Sequence, residues 1–371
     1  SGVVVVYAMS LVNPSIITIG LFEKMLQYIR YIDVSYSKEL RNVFHDWDAS
    51  WLSLDFGIKM PTEIDDKSEY HTVANIFSEY EVSPIFLQDF WQNMMALAIL
   101  GLVVIILWKA EYLTKKKIAK NSQHKLFLTR LRMMAQNFLI SQFYIKCGDI
   151  IFFFVIQAKA FWKATTLSIM TLLVSIILIL VTAHFLYFHF NLIYRYQKSP
   201  RNETTNKFED FCKENEGVKI VFEKYKDKSL LTQSFLFIFV VKDLISSVVL
   251  TTLLISPLCQ IILITGMNVL MLLYMMLKKP FLEVIQAIEQ VVYELLVLCV
   301  NLCVLSIAIL DLKGGDSSTG VNLSRAIIII NLVFNFAAIV FLLIGLGRLA
   351  KQIHKAWEEK KTQKILAKLV P

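Results

Sequence analysis

Charge is what this sequence has least of. Only 18% of its 371 residues are Asp, Glu, Lys or Arg, against about a quarter in typical soluble proteins. Cysteine is nearly as uninformative. Cys147, Cys212, Cys259, Cys299 and Cys303 show neither disulfide nor zinc spacing. Cys299 and Cys303 share a helix face and read as small core residues. No Walker loop, dinucleotide fingerprint, HExxH or nucleophile elbow occurs, so nothing suggests an enzyme or a cofactor. A TVGYG filter is also missing, and no helix carries Arg or Lys at every third position. That excludes a potassium-type filter and a voltage sensor of the known kind. His184 and His189 have no carboxylate at ligand spacing and are expected at the membrane interface, so no metal site is expected.

What is present is apolar. Hydrophobic residues make up 56% of the chain and mean hydropathy is +0.57. A membrane span needs about 20 mainly apolar residues. Seven runs qualify, at roughly 89–109, 135–157, 166–190, 232–256, 257–279, 291–311 and 324–347, and an eighth opens the chain at about 3–20. They do not alternate as barrel strands would, and in lipid a lone segment satisfies its backbone only as a helix. The expected fold is an all-α polytopic transmembrane helical bundle of eight or nine spans. Its parts are the first crossing or crossings (1–36), an exterior cap (37–88), a seven-helix core (89–347) and a basic tail (348–371).

The net charge of +8 does not point to nucleic acid, because the basic residues sit beside apolar runs. Segment 109–134 has eight basic residues and one acid, and 348–371 has seven and two. The 191–231 loop has nine basic and seven acidic residues, and Lys278 and Lys279 mark a fourth position. All four alternate onto one face, which the positive-inside rule makes cytoplasmic. The acidic stretch 37–88 then lies outside. Whether one or two crossings precede it is open. "LFEKMLQYIRYIDVSY" (21–36) has helical apolar spacing, but Glu23, Lys24, Arg30 and Asp33 make poor lipid-facing sequence. It is either a crossing shielded by other helices or an interfacial amphipathic helix. The start "SGVVVV" suggests a processed chain or part of a longer one.

Ionisable residues inside a membrane are candidates for function. Lys146 and Asp149, three apart, share a helix face as an ion pair that either fixes packing or lines an ion or proton path. Lys242 and Asp243 are adjacent, so they point about 100° apart and need different partners. The alternative is a later helix start with Lys242 snorkelling to the inner face. Glu289 can stay in the headgroup zone. Glu294 lies deeper and would want a donor such as Lys242. In the tail, Leu349, Ile353 and Trp357 recur at four-residue steps among Arg348, Lys351 and Lys355, as in a basic helix on the inner leaflet or on a cytosolic partner. Trp47, Trp51, Phe56, Tyr70, Phe77, Tyr80 and Phe86 make the exterior stretch a packed cap or a docking surface for an exterior domain or other membrane subunits.

A longer pattern joins these pieces. "NFLISQFYIKCGDIIFFFVIQ" (137–157) precedes a charged loop, "KDLISSVVLTTLLISPLCQ" (242–260), "LYMMLKKPF" (273–281) and "QAIEQVVYELLVL" (286–298). This resembles the TRP-like membrane domain of fungal flavin-carrier proteins and the C-terminal membrane regions of large cysteine-rich ciliate surface proteins. The likeness rests on Pro257 at an outer corner, Lys279-Pro280-Phe281 at a helix end and Glu294 at a helix entry. Lys242-Asp243 departs from the family's basic pair. The resemblance implies a membrane domain that anchors, or senses through, a larger surface protein in a plasma or ciliary membrane, with mitochondrial and other organelle membranes as alternatives. It also implies two competing roles, cation channel or transporter and lipid or small-molecule handling. Reversing the charge of Lys109, Arg130 and Arg132 together should disturb orientation, read by cysteine labelling from each side of sealed vesicles. An unchanged orientation would undo the topology.

Overall fold

The computed structural model describes residues 15–46, 75–117, 123–160, 166–198, 207–314 and 317–369. The described chain is helical, with no strand and one isolated bridge, Tyr225 to Phe281. The helices are α1 (Ser15–Tyr28), α2 (Lys38–Asp46), α3 (Asn75–Glu79), α4 (Phe86–Lys117), α5 (Gln123–Ala160) and α6 (Thr166–Lys198). Then come α7 (Lys207–Glu214), a 3-10 stretch (Glu216–Val221), α8 (Leu230–Gln233), α9 (Phe235–Thr252), α10 (Pro257–Lys278), α11 (Val284–Lys313) and α12 (Ser317–Leu369).

Seven of these, α4, α5, α6, α9, α10, α11 and α12, are long and apolar enough to cross a membrane. The chain is therefore read as a multi-pass membrane protein. The count is seven among the described residues, where eight or nine were expected; α1 has 14 described residues, and residues 3–14 of the opening run 3–20 lie outside them. Span ends follow backbone chemistry. Pro257 opens α10 at a position where a missing N–H costs nothing. Gly314 closes α11 with φ +61°, the left-handed conformation glycine adopts freely. At the end of α9, Lys159 Nζ lies 2.6 Å from the Thr251 carbonyl and Gln260 Nε2 lies 2.9 Å from that of Leu250. Both satisfy acceptors that a helix end leaves open.

The bundle is layered by burial. α5 and α9 lie mostly inside, whereas α4, α6 and α12 present Leu102, Ile106, Leu180, Leu332 and Phe336 outward. Such exposed apolar rows suit lipid as the solvent. α1 is unlike any of them. It carries Thr18, Glu23, Lys24 and Gln27, yet every one is buried. It packs against α5, α9 and α11 in the middle of the bundle and not along its rim.

Past α1 the chain turns into a cap of aromatic rings. Tyr31 packs on Phe77 and Phe152, with centroids 5.4 and 4.9 Å away, and Tyr80 and Phe44 close the group. Phe86 is also buried, whereas Trp47, Trp51, Phe56 and Tyr70 lie outside the described residues. Three links tie this cap to α11 and α12. Ser35 N–H donates to Asp311 (2.8 Å), Ser37 N–H donates to Ser324 Oγ (3.1 Å), and Arg325 pairs with Glu39 (3.0 Å).

Phe281 closes the corner after α10. It is buried against Phe235 (4.6 Å) and Tyr225 (5.8 Å), and the Lys226 N–H and Leu282 N–H bonds lock its strand-like residues to the 222–226 loop. Aromatic burial outweighs what the two lysines before it would do alone. Lys279 adopts φ +45° at the end of α10, a strained conformation for a residue with a side chain. Lys279→Gly should therefore raise stability by about 0.5–1 kcal/mol, seen as a higher thermal midpoint in detergent. A drop would mean that the lysine side chain holds the corner.

Candidate functional site: a buried charge network

Six charged side chains and Tyr28 meet where α1, α5, α9 and α11 converge. Lys24 Nζ of α1 lies 2.5 Å from Asp243 Oδ2 of α9, donates to the Ile145 carbonyl at 3.0 Å, and stands 3.7 Å from Asp149 Oδ1 of α5. Tyr28, one turn further along α1, donates to that same Asp149 oxygen in a short hydrogen bond. The other Asp149 oxygen faces Lys146 at 3.6 Å. Lys242 pairs closely with Glu294 of α11, and its ammonium stands 5.4 Å from the centre of the Phe239 ring. Attraction to the ring face adds to the ion pair.

Burial decides what this means. Lys24, Asp149, Lys242 and Asp243 are all under 8% exposed and Glu294 is fully buried. An isolated charge there would be prohibitive. The charges instead balance, with Lys24, Lys146 and Lys242 against Asp149, Asp243 and Glu294. The backbone is shaped for this contact. A Cβ added to Gly148 would sit 2.2 Å from Asp243 Oδ2 and 2.6 Å from Lys24 Nζ, and one at Gly20 would sit 3.1 Å from Ile145. Glycine at both positions lets α1 approach α5 closely enough for the lysine to reach.

The residues singled out from sequence thus fall into two groups. Lys146, Asp149, Lys242, Asp243 and Glu294 belong to this network, and the adjacent Lys242 and Asp243 do point to different partners, Glu294 and Lys24. Glu289 stands apart from the network and is buried within the protein. Its charge acts on Lys224 of the 222–226 loop, whose amine burial lowers to about 8 while Glu289 and Glu283 oppose that shift. Pro257, Lys279 and Pro280 shape corners and reach none of these groups. In the tail, Arg348 pairs with Glu283 at 2.6 Å and Lys351 is exposed, while the side chains of Lys355 and Trp357 lie outside the described residues. His184 is exposed, but His189 is buried, with Tyr144 OH 3.0 Å from its Nδ1.

Sequence reasoning missed Lys24, Tyr28 and Gly148 as members. The signal was there, since a helix with Glu23 and Lys24 had to be shielded. What it lacked was the identity of the shielding partners.

No protein-family model, curated protein or solved structure matches this chain. Its chemistry has to be read from the site alone.

Around the network lie further polar groups. Asn268 and Asn301 border a cavity of about 20 Å³ with Asp243, Ser246 and Tyr28. Both Asn268 side-chain heteroatoms, Asn301 Nδ2 and Glu294 Oε2 have no hydrogen-bond partner. Among the described residues no three His, Cys, Asp or Glu side chains gather as a metal ion would need. Removing one member of a buried pair strands the other charge, at a cost of about 3–5 kcal/mol. Lys24→Met should lose that much stability, and adding Asp243→Asn should restore part of it. Thermal unfolding of both singles and the double would check this, and a coupling near zero would show that the pair is not what holds α1.

Proposed function

We propose that this chain is a multi-pass domain that anchors a larger surface protein or membrane assembly, built like the TRP-like domains it resembles. The observation that carries this reading is the mutual pairing of the intramembrane charges. A conducting path needs charge that is open to passing ions, and a network closed on itself offers little. Its pairs instead tie α1 to α5 and α9, and α9 to α11. The exterior partner would sit on the aromatic cap, which follows α1 within a few residues and is stapled to α12. A load on the cap would reach the Lys24 cluster along one short segment, which gives the anchor a route for sensing. No catalysis is ascribed to the domain. A plasma or ciliary membrane suits a surface protein.

A cation channel or transporter is the competing reading. Its best support is the unpartnered Glu294 Oε2 and the Asn268 and Asn301 amides beside Asp243. These would be the polar atoms lining a path between α1, α9, α10 and α11.

Reconstitution in liposomes separates the two. The anchor reading expects potassium, sodium and calcium flux no higher than in empty vesicles, with Asp149→Ala and Glu294→Ala changing stability only. Cation flux that either substitution abolished in folded protein would sink the anchor-only reading.

A further inference from the structure

We propose that the lateral cavity between α4, α5 and α6 binds one uncharged, hydroxyl-bearing membrane amphiphile. The cavity holds about 570 Å³, within the range of about 300–1,000 Å³ typical of small-molecule sites. Its walls are mostly apolar, and Ile105, Trp108 and Phe188 at its mouth are exposed, so it opens toward lipid.

Five polar side chains line it, Arg132, Gln136, Tyr144, His184 and His189; His184 is exposed, and the bonding of the other four defines the ligand. Arg132 spends its charge on Glu111, at 2.5 Å, and donates Nη1–H to Gln136 at 3.0 Å. Glu111 is itself buried, so this end of the cavity is electrically neutral and has little to offer a phosphate. Deeper in, Tyr144 and His189 share the bond between OH and Nδ1. His189 is 1% exposed, and its other ring nitrogen, Nε2, has no hydrogen-bond partner. The Val221 carbonyl lies close enough to act on the ring but closes no bond to Nε2. An unpaired buried polar atom is costly. Whether Nε2 is donor or acceptor depends on the tautomer, and a ligand hydroxyl serves either, since it both donates and accepts. The apolar body of the ligand would lie along Ile140, Phe185 and Val104. None of these groups belongs to the Lys24 network, so the proposal stands or falls separately from the anchoring role.

The test uses the full chain in nanodiscs with photoactivatable probes. A sterol and a diacylglycerol carry the required hydroxyl on different bodies, and phosphatidylserine and a plain hydrocarbon probe serve as controls. One hydroxyl-bearing probe should label peptides from 104–108 or 218–221 at least five-fold more than either control, and unlabelled ligand should compete it away. Which of the two labels identifies the source. Val104→Trp, on the lipid-facing helix α4, should fill the cavity and cut labelling at least five-fold while the protein stays monodisperse and helical. His189→Phe should do the same if it folds; if it does not, Val104→Trp decides. Equal labelling by all four probes, preference for phosphatidylserine, or labelling unaffected by Val104→Trp would each overturn the proposal.

Discussion

Everything in this bundle depends on one lysine being allowed inside it. Lys24 lies on a helix that no lipid would accept, because Thr18, Glu23, Lys24 and Gln27 cover several of its faces. Such a helix is stable in a membrane only when surrounded by protein. Asp243 and Asp149 meet the lysine from two different helices, and Gly148 leaves room for it. The apolar helices α4, α6, α10 and α12 can then face lipid because the polar requirements of the core are met within it. Buried ion pairs give little net stability against apolar packing. Their effect here is on specificity: a slip of α1 by one turn along α5 would strand Lys24 and Asp243 together, while Asp149 kept Lys146.

The fold was legible where the physics is one-dimensional. Span length and helical backbone depend on composition over a window, and all seven core spans can be read from it. The ends of those spans are less legible. α5 was expected over 135–157 and runs from Gln123 to Ala160, since a helix continues into water when its polar half packs on something. Here Asn137 bonds the Glu216 carbonyl and the Ile220 N–H, holding the 3-10 stretch beside it.

The network was half legible. Lys146 with Asp149 is a local pair, three residues apart on one helix, and spacing reveals it. Lys242 with Glu294 follows from want of any other donor at that depth. Lys24 with Asp243 joins positions 219 residues apart, and only the packing of four helices brings them together. Gly148 is harder still, since its value lies in an atom it does not have. Burial of Phe281 and His189 was missed for a related reason. Each is covered by the 207–229 loop, whose mixed charge reads as solvated but whose Phe208, Phe211 and Phe222 build a small core against Tyr196.

The last helix has a mechanical side. α12 runs 53 residues, about 80 Å at 1.5 Å per residue, against about 30 Å of hydrocarbon. Near its start Arg325 grips Glu39 of the cap, and past its middle Arg348 grips Glu283 beside the Phe281 corner. Between these two grips no loop interrupts it. Both pairs are exposed and add little stability on their own, so what links the cap to the Phe281 corner is the unbroken helix between them. One continuous helix thus spans from the cap to the Phe281 corner, while the Lys24 network ties together α1, α5, α9 and α11.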